Sequence, residues 1–242
     1  MEKHIYKFAS QVELKNYSYA MTPPRVIYID SELHYDNADV AYSFMGYDFI
    51  DMGTDTVWST CNIGASSPKE CGYYFQWGDG RPHDLKEVLS GADQQEFTEK
   101  GSIYYEYHNE RIDTTNPKDI AEEYFSSISY NYPAVRMPDQ GDFDALASCC
   151  KFSHIYDDSS NEYLLIDSLK NPGNYLIFPW TGYIAEGEYM DQPGYGYTMV
   201  WGWTHYSDMA TTGPVRQDRN EFTYMPIWVG LPVKPVIDKR YI

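Results

Sequence analysis

The chain has 242 residues, with 36 Asp and Glu against 18 Lys and Arg, a formal net charge of -18. Such acidity argues against nucleic acid, whose phosphates demand a basic face, and against insertion into or docking on an anionic membrane. No apolar run exceeds a few residues, so no helix of the chain is expected to span a bilayer.

Leu, Ile, Val and Phe total only 47 residues, a composition that with high charge can signal disorder. Tyr, Trp and Met (25, 6 and 9 residues) restore the capacity to bury area. Their rings and polar tips suit a core with wet edges, or a surface of rigid amphipathic anchors.

The elements follow in chain order. Met1-Glu2-Lys3-His4-Ile5-Tyr6-Lys7 leads into no apolar h-region, so no secretory leader is expected. Residues 5–19 read as a short helix or an extended arm, stopped by Pro23-Pro24. Arg25-Val26-Ile27-Tyr28-Ile29 is a β-branched strand pattern, and residues 30–39 are acidic and turn-like. Residues 1–45 are therefore read as an N-terminal attachment or oligomerisation segment, and 46–242 as the main domain, with the boundary near 40–46.

From Tyr47 the pattern becomes globular. Asp48-Phe49-Ile50-Asp51-Met52-Gly53 before Val57-Trp58 suggests a hairpin. Ser66-Ser67-Pro68-Lys69-Glu70 reads as a loop or a helical turn, and Gly72-Tyr73-Tyr74-Phe75-Gln76-Trp77-Gly78 as a short aromatic strand. Residues 84–99 are expected to be helical, with Leu85, Val88 and Leu89 on one side. Residues 100–118 show no strong element. Asp119 is placed to cap a helix through Ile120, Tyr124 and Phe125.

The clearest helix starts at Pro138-Asp139, with Asp139 as N-cap and Asp142 in the acidic first turn. Phe143, Leu146, Ala147 and Cys150 then form an apolar stripe at helical spacing. Residues 163–167, 175–178, 195–206, 222–229 and 231–237 are strand-like and punctuated by Gly and Pro. Two helices followed by a strand-rich half define an α+β class.

Cys61, Cys71, Cys149 and Cys150 show neither CxxC nor Cys/His ligand spacing, so no zinc site is expected. They read as reduced, mostly buried thiols, with a Cys61–Cys71 bridge as the alternative. His4, His34, His83, His108, His154 and His205 are dispersed, and no G-x-S-x-G elbow is present. Asp157-Asp158-Ser159-Ser160-Asn161-Glu162 offers oxygens to calcium but lacks EF-hand spacing, so a solvated acidic loop is favoured. No cofactor or metal is expected.

Three stretches carry a resemblance. The first is Trp58-Ser59-Thr60-Cys61-Asn62-Ile63-Gly64-Ala65, then Gly72 to Gly78. The second is Arg136-Met137-Pro138-Asp139, with Phe143 and Leu146 behind it. The third comprises Ile177-Phe178-Pro179-Trp180-Thr181-Gly182-Tyr183, Trp201-Gly202-Trp203-Thr204, and Gly230-Leu231-Pro232-Val233-Lys234-Pro235-Val236. In this order residues 47–237 resemble the Fibrobacter succinogenes major paralogous domain of gut Bacteroidales and their phages. Departures are Trp180 where the family has a small residue, Gly202-Trp203 where it has Ser-Ser, and Lys234 where it has Arg.

The resemblance implies a C-type-lectin-like domain behind a short N-terminal attachment segment. It implies core rings at Trp58, Trp77 and Trp201, turn glycines at Gly64, Gly78 and Gly182, and an Arg136 that ties loops through carbonyls or a carboxylate. The related formylglycine-generating fold needs a reactive cysteine pair late in the domain, and this chain has no cysteine after Cys150. Thr22-Pro23-Pro24-Arg25-Val26-Ile27-Tyr28 and Leu33-His34-Tyr35-Asp36 are similar to leaders of phage fibre-like and adhesin-like proteins.

In lectin-like folds, loops of the second half form the ligand face. Aromatic and Arg side chains are the types that anchor interfaces, and aromatics also stack on sugars. Tyr195, Tyr197, Trp203, His205, Tyr206, Asp208, Arg216, Arg219 and Tyr224 are the expected ligand-binding residues, with Trp203 exposed. Tyr189 and Trp228 belong to the same region.

The expected function is non-enzymatic binding of a host-surface glycan or protein, from a phage virion or fibre or a bacterial cell surface. The N-terminal segment would join other virion or fibre proteins, in a homo-oligomer expected to be a trimer. The alternatives are a structural decoration protein and, more remotely, a hydrolase using a carboxylate pair.

Overall fold

The computed structural model describes residues 6–8, 27–29, 32–34, 40–90, 97–98, 105–106, 111–112, 117–128, 135–156, 162–190, 198–206, 208–213 and 223–242. They form an α+β protein of mostly antiparallel sheets and three short α-helices.

Strand β1 (Tyr6–Phe8) runs parallel to β2 (Ile27–Ile29), which pairs antiparallel with β3 (Glu32–His34). The stretch 30–39 thus contains a strand where its acidity predicts only a turn. Strands β4 (Val40–Phe44), β5 (Tyr47–Asp51) and β6 (Thr56–Ser59) follow. The β4–β5 connection is the two-residue pair Met45-Gly46, both at positive φ (51° and 82°). That is the backbone a tight, correctly twisted hairpin needs, and Gly supplies it without strain. Since β4 pairs with β5, the main sheet already begins at Val40.

Helix α1 (Leu85–Leu89) is capped by Asp84, whose carboxylate accepts from the Lys86 N–H at 2.8 Å. The helical pattern over 84–99 predicts a longer element. Ser90-Gly91 is a poor continuation, and Leu89, assigned by spacing to the apolar side, is exposed while only Val88 is buried. Strands β7 (Tyr105–Glu106) and β8 (Arg111–Ile112), two residues each, form a small antiparallel pair in a stretch expected to hold no strong element.

Helix α2 (Ile120–Ile128) starts where Asp119 caps it, and β9 (Val135–Arg136) leads into α3 (Gln140–Cys149). Asp139 and Asp142 form a reciprocal capping box: each carboxylate accepts the other's backbone N–H, at 2.9 and 2.8 Å. On α3, Phe143, Leu146 and Cys149 are buried. Ala147, read as part of the stripe, is only half-buried, and Cys150 already belongs to a strand.

Strands β10 (Cys150–Tyr156), β11 (Glu162–Ser168) and β12 (Tyr175–Pro179) form an antiparallel sheet. The hairpin of β13 (Tyr183–Ala185) and β14 (Glu188–Met190) turns through Glu186-Gly187, again both at positive φ. Strands β15 (Val200–Tyr206), β16 (Met209–Gly213) and β17 (Thr223–Pro226) form a third sheet, and β18 (Val236–Asp238) is followed by a 3-10 turn at Lys239–Tyr241.

The last strand returns to the first half. The central sheet has the order β4-β5-β6-β18-β9. Successive side chains of a strand point to opposite faces, and here each face has its own core. Phe49, Val57 and Ile237 join Trp77, Trp201, Phe125 and Met137 on one side. Ile50, Trp58 and Val236 join Phe143, Leu146, Leu164 and Phe178 on the other. A one-residue slip would exchange the two sets, so the register is strongly specified. Trp58, Trp77 and Trp201 are fully buried. The Trp201 Nε1 donates to the Phe75 carbonyl at 2.7 Å and the Trp77 Nε1 to the Gly202 carbonyl at 3.0 Å.

Gly64, Gly78 and Gly182 all adopt positive φ. At Gly64 a Cβ would lie 2.2 Å from the Tyr73 ring, so glycine is required for space as well as for φ. All four cysteines are free, Cys149 and Cys150 buried and Cys61 and Cys71 half-buried. Lys234 is fully buried and donates to the Thr60 carbonyl at 2.8 Å, with its ammonium 4.9 Å from the Phe178 ring centroid. Among the described residues no helix is long and apolar enough to cross a membrane.

Candidate functional site

Three elements converge on the segment Met137-Pro138-Asp139. The Asp119 carboxylate accepts the Glu122 N–H at 3.0 Å, capping α2, and both of its oxygens accept the Met137 N–H at 3.0 Å. One side chain thereby fixes the start of α2 against the end of β9. From the other side the Trp203 N–H of β15 donates to the Pro138 carbonyl at 2.8 Å. The Gln140 N–H donates to the Thr204 hydroxyl at 3.1 Å.

The gap between these elements is an open cleft of about 580 Å³. Its lining includes Lys118, Asp119, Glu122, Glu123, Arg136, Met137, Asp139 and Trp203. The Trp203 indole is half-buried, its centroid 5.7 Å from that of Trp77. It thus combines a packed backing with a place on the cleft wall. Sequence reading expects an exposed Trp203. The burial of Trp77 beneath it, which no local pattern reveals, makes it a wall instead.

The electrostatics are set by internal pairing. The Arg136 Nη1 donates to the Met137 carbonyl at 2.9 Å and to Asp142 Oδ2 at 2.6 Å. Its Nη2 donates to Asp142 Oδ1 at 3.2 Å and to Asp238 Oδ1 at 2.8 Å. This is the loop-tying role expected for Arg136. Burial works to lower its pKa, but the hydrogen bonds and charges of Asp142 and Asp238 raise it above the ordinary value. Burial also pushes the Asp142 carboxyl up, with Arg136 opposing. Asp238, less enclosed, is held below the usual range: burial would raise it, but Arg136 and Arg240 prevail. Burial raises Asp119 against the backbone N–H groups that favour its anion. The Lys118 ammonium is paired with Glu123.

The predicted face is only partly assembled here. Tyr195, Tyr197, Arg216 and Arg219 lie outside the described residues, as do positions 157–161 of the acidic loop weighed for calcium. His205 stacks on Trp77 at 4.6 Å, beside Trp203 but off the cleft lining. Tyr206 is 78% exposed and Asp208 is exposed at the β15–β16 turn. Tyr224 is half-buried, its hydroxyl 3.5 Å from Gln140 Oε1. Of the five described members of that face, Trp203 alone lines the cleft. Tyr189 packs under Gly182 and donates to the Thr181 carbonyl at 3.1 Å, so it serves the scaffold. Trp228 is half-buried against the first core cluster.

Of the acids on the cleft wall, Asp119 and Asp139 are legible in the sequence as helix caps, and no pattern singles out Glu122 and Glu123. Their convergence depends on the long-range pairing of β9 with β18 and of β15 with the Pro138 carbonyl. Among the described residues no group of three His, Cys, Asp or Glu side chains is gathered to hold a metal.

The fold and site define an α+β protein with an acid-lined, aromatic-walled cleft. No family model, no curated protein and no solved structure matches the chain.

Proposed function

We propose that the chain is a C-type-lectin-like binding module that recognises a host-surface glycan or protein without turning it over. In this reading it is displayed on a phage virion or fibre, or on a bacterial cell surface. The N-terminal segment ahead of β4 attaches it to neighbouring proteins and a trimer is the expected assembly.

The observation that carries the reading is the Trp203 cleft. A half-buried indole backed by Trp77 offers an apolar wall on which a sugar ring can stack. Carboxylates around it accept hydrogen bonds from hydroxyls. Asp119 has its oxygens committed to backbone N–H groups and Glu123 is paired with Lys118. Such acids hold a wall in place more readily than they shuttle protons, which favours binding over hydrolysis. The burial of Trp58, Trp77 and Trp201 supports the lectin-like reading of the motifs that contain them.

The test uses the full chain on intact Bacteroidales cells. The double variant Trp203→Ala/Arg216→Ala should lose cell binding while keeping its melting transition. Unchanged binding would remove this face from the proposal. Incorporation into particles without any adsorption to cells would instead favour the decoration role.

A further inference from the structure

We infer that the Trp203 cleft selects an uncharged sugar ring and rejects anionic ones, those bearing uronate, sialate or phosphate groups. The inference rests on the glycan-binding reading above and adds the ligand's charge class.

The state of the cations carries it. An arginine recognises a carboxylate or phosphate through an open fork of N–H donors. Arg136 is the one guanidinium on the cleft wall among the described residues, and its fork is closed. Each terminal nitrogen has two N–H groups, and all four are directed at the chain itself: the Met137 carbonyl, both oxygens of Asp142, and Asp238. Two carboxylates stand behind that one positive charge. Lys118, the other cation of the wall, holds Glu123.

The wall's own acids are Asp119, Glu122, Glu123 and Asp139. They outnumber its two cations before Asp142 and Asp238 are considered. A carboxylate or phosphate entering the cleft would lose water, meet like charge, and find no open guanidinium fork among the described residues. A neutral ring meets the opposite situation. Its hydroxyls are donors facing acceptors, and its C–H face matches the Trp203 indole.

Matched pairs of oligosaccharides decide the matter: glucose with glucuronate, galactose with galacturonate and mannose with mannuronate, as tetramers at neutral pH and low salt. The full chain is titrated with each by calorimetry and indole fluorescence. At least one neutral tetramer should bind, and its uronate counterpart should bind roughly tenfold or more weakly. Trp203→Ala should abolish the binding, and Trp203→Phe, which keeps an aromatic wall if the alanine variant fails to fold, should retain part of it. A uronate that binds as tightly as its neutral partner would overturn the charge inference and leave the glycan reading standing. No binding by any tetramer, or binding indifferent to both Trp203 variants, would overturn the glycan reading and this inference together.

Discussion

At the scale of single residues, two cations are held inside the protein by different means. Lys234 is fully buried among carbonyls and an aromatic ring, and burial lowers its pKa from 10.5 to about 8, with Cys61 acting in the opposite direction. Below about pH 8 it is charged in both folded and unfolded chains, and the penalty of burying it is fully present. Between that value and 10.5 the folded state sheds its proton first, so stability is gained as pH rises. Cys150 and Tyr47 are raised by burial and titrate the other way. The clean measurement is therefore the difference between wild type and Lys234→Met in urea unfolding. Wild type should gain on the order of 2 kcal/mol on the variant between about pH 8 and pH 10; a flat difference contradicts a buried, titrating Lys234.

Arg136 is stabilised by ion pairs instead. Removing it strands Asp142, whose side chain is only 8% exposed. Arg136→Met should lower the unfolding free energy by about 3–5 kcal/mol, and Lys should restore little of it, since only the guanidinium reaches both carboxylates and the Met137 carbonyl together. A loss under about 1 kcal/mol in denaturant titration would mean that the network adds no more than an exposed pair does.

At the scale of elements, local chemistry was legible and length was not. The α3 start could be read because a cap needs only residues within one turn: Asp139 and Asp142 were enough. Asp139→Ala should cost about 1 kcal/mol in chemical denaturation, and Asp139→Asn only a few tenths, because Asn still accepts the N–H. Equal losses would show that charge, not capping, is at work. Helix α1 is shorter than its pattern predicts: Leu85, Val88 and Leu89 match helical spacing, but only Val88 is buried, Leu85 packs partly exposed beside it, and Leu89 faces solvent. Strands β10 and β16 were unanticipated. The first follows α3 without a loop, since Cys150 both ends the helix and opens the strand. The second, Met209–Gly213, lies in a Thr-Thr-Gly stretch whose strand character comes from its partners β15 and β17. The tight hairpins at Met45-Gly46 and Glu186-Gly187 carry a glycine that the sequence displays openly.

At the scale of the molecule, the aromatic excess has a clear address. Trp58 and Trp77 sit on opposite faces of one sheet, each inside its own core. Shortage of aliphatic residues is thus met with rings, and composition alone could show that capacity without showing two cores. The cleft was the least legible feature. Arg136, Asp119 and Asp139 could be recognised as a tie and two caps, but only the meeting of α2, β9 and β15 turns them into a wall beside Trp203. The net charge of -18 makes copies of the chain repel one another and agrees in sign with the acids of the cleft.

The central claim, that this cleft recognises a glycan, is tested most directly on cells whose surface chemistry is altered. Periodate cleaves the vicinal diols of sugars, whereas protease removes surface proteins. The full chain should bind untreated and protease-treated Bacteroidales cells alike, lose binding after periodate, and lose it equally in the folded Trp203→Ala variant. Binding that survives both periodate and the Trp203 substitution, but disappears with protease, would contradict glycan recognition by this cleft and point to a surface protein bound elsewhere on the chain.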